Sequence, residues 1–279
     1  MAYKSLFSVL TDPALIPGLL DQSTTLARKY DAHVEALCLG VDRTQTGYYY
    51  AGANALVLQE TLTRAHEEAD HLEAEASRIL GAQDVRWGTD SGVAQLADIG
   101  RHVAAHARFS DLVILPQPYG EDRSAELEPV LEAALFEGRV PVLVQPKDNA
   151  VLLSPKSVLV AWNESPECLA AVRAALPFLR EAEAVRVVVI DPPTHGPNRS
   201  DPGGLLSQYL ARQGVRVEID VLSKTLPRVA EVILRHAVDT KSDMVVMGAY
   251  GHSRFREAIL GGATRDMLEM CPLPVLMAH

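Results

Sequence analysis

The sequence predicts an α/β protein of two tandem, open, mostly parallel five-stranded sheets with helices on both faces. Three observations carry this. Short apolar, β-branched runs alternate with longer amphipathic stretches, which is the pattern of parallel strands joined by crossover helices. Several runs, such as Leu112-Val-Ile-Leu and Val187-Val-Val-Ile, are apolar at every position and so suit strands covered on both sides. The pattern also occurs twice: Ser110-Asp-Leu-Val-Ile-Leu aligns with Ser242-Asp-Met-Val-Val-Met, and Val140-Pro-Val-Leu-Val with Leu273-Pro-Val-Leu-Met. A chain of 279 residues is long enough for two such copies, since single domains usually hold ~100–150 residues.

In the first copy the strands are expected at Ser5–Leu10, His33–Val41, Val85–Trp87, Leu112–Leu115 and Val140–Gln145. In the second they are expected at Ser157–Ala161, Val185–Ile190, Val215–Leu222, Met244–Met247 and Pro274–Ala278. The copies differ most before the third strand. Asn54–Leu80 reads as a long charged helix, whereas Thr194–Gly204 is rich in Pro and Gly and shortens the crossover. Gln145-Pro-Lys-Asp-Asn-Ala is polar and contains a proline, which places the domain boundary near 150 and gives domains 1–150 and 151–279.

Composition narrows the function. Hydrophobic residues make up 48% and charged residues 22%, as in ordinary globular chains. A formal charge of −10 disfavours nucleic acid and anionic membrane as partners, because both require a basic surface. No apolar run reaches the ~20 residues that span a bilayer, and Asp12, Pro13 and Pro17 interrupt the apolar opening of the chain. The expected location is therefore the cytoplasm. Cys38, Cys168 and Cys271 are far apart and odd in number, so they form neither a disulfide framework nor a thiolate zinc site.

The main chemical signal follows the run Met244–Met247: Gly248-Ala-Tyr-Gly251, nine further residues, then Gly261-Gly262-Ala263-Thr264 and a helical stretch. Gly248 and Gly251 are suited to positive φ and to bringing backbone N–H groups close to an anion. Gly261 and Gly262 open a helix whose unpaired N–H groups and dipole favour negative charge, and Thr264 adds a hydroxyl in its first turn. The alternative is that these glycines only permit a tight turn.

The spacing G-x2-G-x9-G, lying before the last helix and the closing Pro-Val-Leu-Met strand, resembles the ATP-binding subclass of the universal stress protein family. The resemblance implies the corresponding fold, which is like that of the adenine-nucleotide α-hydrolases, and an intramolecular pseudo-dimer that leaves other surfaces for a homodimer. It implies ATP, with or without magnesium, held at the backbone of Gly248, Gly251 and Gly261. The family's ribose-binding Asp falls in Ala161-Trp162-Asn163, where Asn163 supplies an uncharged amide and Trp162 stands ready to pack on the base. Val189 matches the position whose backbone recognises adenine, and Met247 precedes the loop. Where the family follows the last glycine with Ser or Thr, this chain has Gly262, and a hydroxyl returns only at Thr264. The first copy has Pro116-Gln-Pro118-Tyr-Gly120-Glu-Asp in the matching stretch, whose prolines lack N–H groups and whose carboxylates repel phosphate, so it is expected not to bind ATP.

Other motifs carry less. His66 and His71 are five residues apart, and at about 100° per residue they point to different helix faces. Asp98, His102 and His106 share a face but are better read as a solvated stripe. Neither G-x4-G-K-[ST], nor G-x-G-x-x-G, nor G-x-S-x-G occurs, and no catalytic base stands out. The reading is a stress-response regulatory protein with ATP in its second domain and a protein partner the sequence does not name. Two alternatives stay open: an interaction module with a vestigial site, and a slow ATPase or an enzyme acting on a small phosphorylated metabolite.

Overall fold

The computed structural model describes residues 2–43, 55–121, 123–146, 152–192, 201–250 and 262–279, with the backbone alone at 55–58. Compact packing divides these into a first unit, Tyr3–Val140, and a second, Pro141–His279.

The first unit holds strands β1 (Ser5–Leu10), β2 (His33–Asp42), β3 (Arg86–Gln95) and β4 (Leu112–Pro116), in the order β3-β2-β1-β4. All the recorded pairings among them are parallel, as continuous apolar runs require. Helices α1 (Ile16–Tyr30), α2 (Ala55–Gly81), α3 (Ile99–Ala107) and α4 (Leu127–Glu132) supply the cover. Strand β3 is much longer than Val85–Trp87. Gly-Thr-Asp-Ser-Gly reads as a turn by composition, yet the segment lies at the end of this sheet, where half-exposed small and polar residues are tolerated. It pairs with β2 from His33↔Arg86 to Asp42↔Gln95.

The second unit holds β5 (Val142–Gln145), β6 (Ser157–Ala161), β7 (Ala184–Ile190), β8 (Val217–Leu222), β9 (Met244–Gly248) and β10 (Val275–Ala278). Their order is β5-β10-β9-β6-β7-β8. The expectation of five strands in each half therefore gives way to four and six. Strand β5 follows the first four in sequence, but it packs with the second unit by pairing antiparallel to β10: Val142↔Met277, Leu143↔Leu276 and Val144↔Val275. Val142, Leu143, Leu276 and Met277 are fully buried, so the apolar side chains of these two short strands supply the reason for the pairing.

Helices α5 (Pro166–Glu181), α6 (Gly204–Arg212), α7 (Val229–Asp239) and α8 (Ala263–Met270) cover this sheet. Right-handed crossovers from β6 to β7 and from β7 to β8 put α5 and α6 on one face. The returns through β9 to β10 run the other way across the sheet and put α7 and α8 on the opposite face. Where α2 has 27 residues, its counterpart α6 has 9. Among the described residues no helix is long and apolar enough to cross a membrane.

Candidate functional site

Strand β6 lies between β7 and β9, with Ala161 opposite Val188 on one side and Met247 on the other. The chain leaves β6 for one face and β9 for the other, so a crevice opens at the carboxyl ends of these strands. Open α/β sheets take ligands at such switch points. Ala161, Trp162, Asn163, Val189, Met247 and Gly248 are thus brought to one edge. The side chains of Val189 and Met247 are buried, which leaves their backbones as the groups for recognition. The Trp162 N–H donates to the Val188 carbonyl at 2.9 Å and fixes the loop that follows β6. Asn163 Oδ1 accepts the Ser165 N–H at 3.1 Å, so the amide NH2 is the part of that side chain left to meet a ligand.

Gly248 serves a purpose other than the one its place in the motif suggests. It does not adopt positive φ; after β9 that conformation falls on Tyr250, at φ 55°. A Cβ on Gly248 would stand 2.6 Å from the Cys168 backbone nitrogen and 3.0 Å from Cys168 Cα and the Glu167 carbonyl carbon. The first turn of α5, capped by Ser165 through the Cys168 N–H at 3.1 Å, rests directly on the end of β9. Glycine is needed there for close packing.

The other bank of the crevice is the start of α8. Tyr250 N–H donates to Thr264 Oγ1 at 3.0 Å, which ties the exit of β9 to the first turn of the helix. Thr264 is 3% exposed, so its hydroxyl is first of all a structural link, and no signal in the sequence marks that use. Gly262 is the N-cap, with φ −100° and ψ 160°, and supplies no side-chain acceptor. The start of α8 therefore carries no side-chain cap from its own N-cap residue, and its dipole favours negative charge. Asp266, also in the first turn, lies 3.5 Å from Arg228 Nη1, which offsets its charge. Gly251 and Gly261 lie outside the described residues.

In the first unit the same edge is closed by its own charges. Arg43, just beyond β2, donates from Nε to Glu126 Oε1 at 2.6 Å and from Nη1 to Glu68 Oε2 at 3.1 Å. Glu126, beside the start of α4, is 3% exposed. Burial pushes its pKa up, but hydrogen bonds from its own backbone N–H and from Arg43 outweigh this and hold it below the usual carboxylate value. Tyr119 Oη donates to Glu128 at 2.7 Å. A group whose folded pKa is depressed contributes stability above its unfolded pKa and loses it as pH falls through the folded value. Glu126→Gln is therefore expected to cost about 1–3 kcal/mol at neutral pH. It should also flatten the loss of stability below about pH 4.5, as read from urea unfolding across pH.

The remaining motifs resolve simply. His66 Nδ1 lies 2.8 Å from the Leu62 carbonyl. His106 stacks on Phe7 and lies 3.6 Å from Asp90, and Asp98 pairs with Arg101. Among the described residues no cluster of three His, Cys, Asp or Glu side chains could hold a metal ion. All three cysteines are buried, and burial pushes the thiols of Cys38 up to about 12 and of Cys168 and Cys271 up to about 11, far from thiolate chemistry at neutral pH.

Residues 155–279 match the model of the universal stress protein family. Over 141 residues, 49% of this chain, the sequence is 29% identical to universal stress protein Slr1230 of Synechocystis sp.. The chain spans about half of that relative, 46% of its length. A universal stress protein from Archaeoglobus fulgidus superposes with a TM-score of 0.74 over 100% of this chain and 96% of its own, at 15% identity. A putative universal stress protein from Pseudomonas aeruginosa gives 0.61 over 99% and 92%, at 14% identity. At these identities the structures speak to the fold.

Proposed function

Because residues 155–279 make this chain a member of the universal stress protein family, we propose that its second domain binds ATP as a regulatory ligand in a stress response. The observation that supports this best is the switch-point crevice between β6 and β9, with the Asn163 amide on one bank and the Gly262-led start of α8 on the other. Adenine would lie against the Val189 backbone, the ribose beside Asn163, and the phosphates over Gly248, Gly251 and Gly261–Thr264. Any magnesium would be carried by the nucleotide's own phosphates. The first domain, its edge occupied by Arg43, Glu68 and Glu126, serves as the structural half of a tandem pair, and any homodimer uses other surfaces.

A ligand bound by the folded state alone raises apparent stability by RT ln(1 + [L]/Kd). At 100 times Kd this is about 2.7 kcal/mol, enough to move a melting temperature by several degrees. ATP is expected to raise the melting temperature of the full chain, with AMP raising it less because it forgoes the β- and γ-phosphate contacts. The buried, already bonded Thr264 hydroxyl and the Asp266 carboxylate favour a second reading, an interaction module with a vestigial site. Equal melting temperatures with and without saturating ATP would select it.

A further inference from the structure

The shortened crossover has a chemical counterpart in the second unit. In the first unit α2 covers β2 and β3 and packs on α1, whereas α6 reaches only β8 among its substantial contacts. Between α5 and α6 lies a cavity of about 480 Å³, within the range of small-molecule sites. Its apolar walls include Leu169 from α5, Leu206 and Tyr209 from α6, and Trp162 from the loop after β6. Glu164, Asp201 and Arg173 also line it, two carboxylates against one guanidinium. All three are exposed, and none forms an ion pair with a described residue. Of the residues assigned to the nucleotide, the cavity shares Trp162 alone.

We propose that this cavity is a second binding site, for a small molecule with a planar aromatic ring and a protonated amine, an arylalkylamine. The ring fits between Leu169 and Leu206, against Trp162 and Tyr209, whose electron-rich faces also attract a cation. The ammonium group is matched by the excess carboxylate of Glu164 and Asp201. An anion bearing the same ring meets a net negative lining on a protein whose formal charge is already −10. The proposal does not rest on ATP binding.

Tryptamine and indole-3-acetate carry the same ring and opposite charges, so calorimetric titration of the full chain with each is the test. Saturable one-to-one binding of tryptamine is expected, with indole-3-acetate at least fivefold weaker. Leu169→Trp, which fills the cavity from α5, should weaken tryptamine tenfold or more. The exposed double variant Glu164→Gln/Asp201→Asn, which leaves Arg173 as the charged group of the lining, should lose or reverse the preference for tryptamine, and it supplies the test if Leu169→Trp does not fold. Absence of saturable tryptamine binding, equal affinity of the wild type for both probes, an unchanged preference in the double variant, or displacement of tryptamine by ATP would each overturn the proposal. The last outcome would assign the cavity to the nucleotide.

Discussion

Gly248→Ala is expected to destabilise the protein by about 3 kcal/mol, near the upper end of overpacking costs. The added methyl group would stand 2.6 Å from a backbone nitrogen and 3.0 Å from two backbone carbons of the α5 first turn. These atoms cannot move aside as a flexible side chain could. Relief requires lifting α5, which packs on β9 and β10 and buries Cys168, Ala171, Val172, Ala175 and Phe178. Urea unfolding without nucleotide is the measurement. A clear loss identifies packing as the role of this glycine, whereas wild-type stability combined with lost ATP affinity would place its importance at the phosphate and contradict the packing account.

Val142→Lys should cost as much or more, about 3–5 kcal/mol, since it buries an unpaired cation. Val142 is fully buried and lies opposite Met277, itself fully buried, in the antiparallel pair that joins β5 to β10. Its neighbours Leu143, Leu276 and Met277 are fully buried as well, so the charge either deprotonates or pulls β5 from the sheet. Thermal unfolding should begin with the loss of this strand, at a lower temperature than in the wild type. Val275→Lys, at the other end of the pair, should behave alike. Wild-type melting in both variants would contradict the burial on which the pairing rests.

Several parts of this architecture are legible in the residues. Ser157–Ala161 and Ser5–Leu10 coincide with β6 and β1, because a short β-branched run between turn residues has few other uses in an alternating pattern. Strand β3 is legible only at its start, near Val85–Trp87, since the Gly, Thr, Asp and Ser beyond acquire strand conformation from pairing with β2 and not from any propensity of their own. The apolar edges of the two repeated Pro-Val-Leu runs favour the β5–β10 pairing, whereas the resulting division into four and six strands is a tertiary choice. At the site, the glycine spacing points to the right edge of the sheet but not to the reason for each glycine. Gly248 answers by close packing to the backbone of Cys168, which lies in another element far back in the sequence, a contact no local pattern encodes. The bond from Tyr250 N–H to Thr264 and the Arg43–Glu126 pair have the same long-range character. The carboxylates of the first copy were visible as repulsive charge, but their use as internal partners for Arg43 depends on the exit of β2.

The central claim is that one ATP binds per chain, in the second domain, with its phosphates at the glycine loop. Calorimetric titration of ATP into the full chain, wild type beside Gly261→Asp, tests it most directly. A side chain and a negative charge at that glycine would oppose the phosphates. The account predicts one equivalent of ATP in the wild type and a loss of at least about a hundredfold, about 2.7 kcal/mol, in a variant that remains folded. Equal affinity in the two proteins, or two equivalents bound by the wild type, would contradict it.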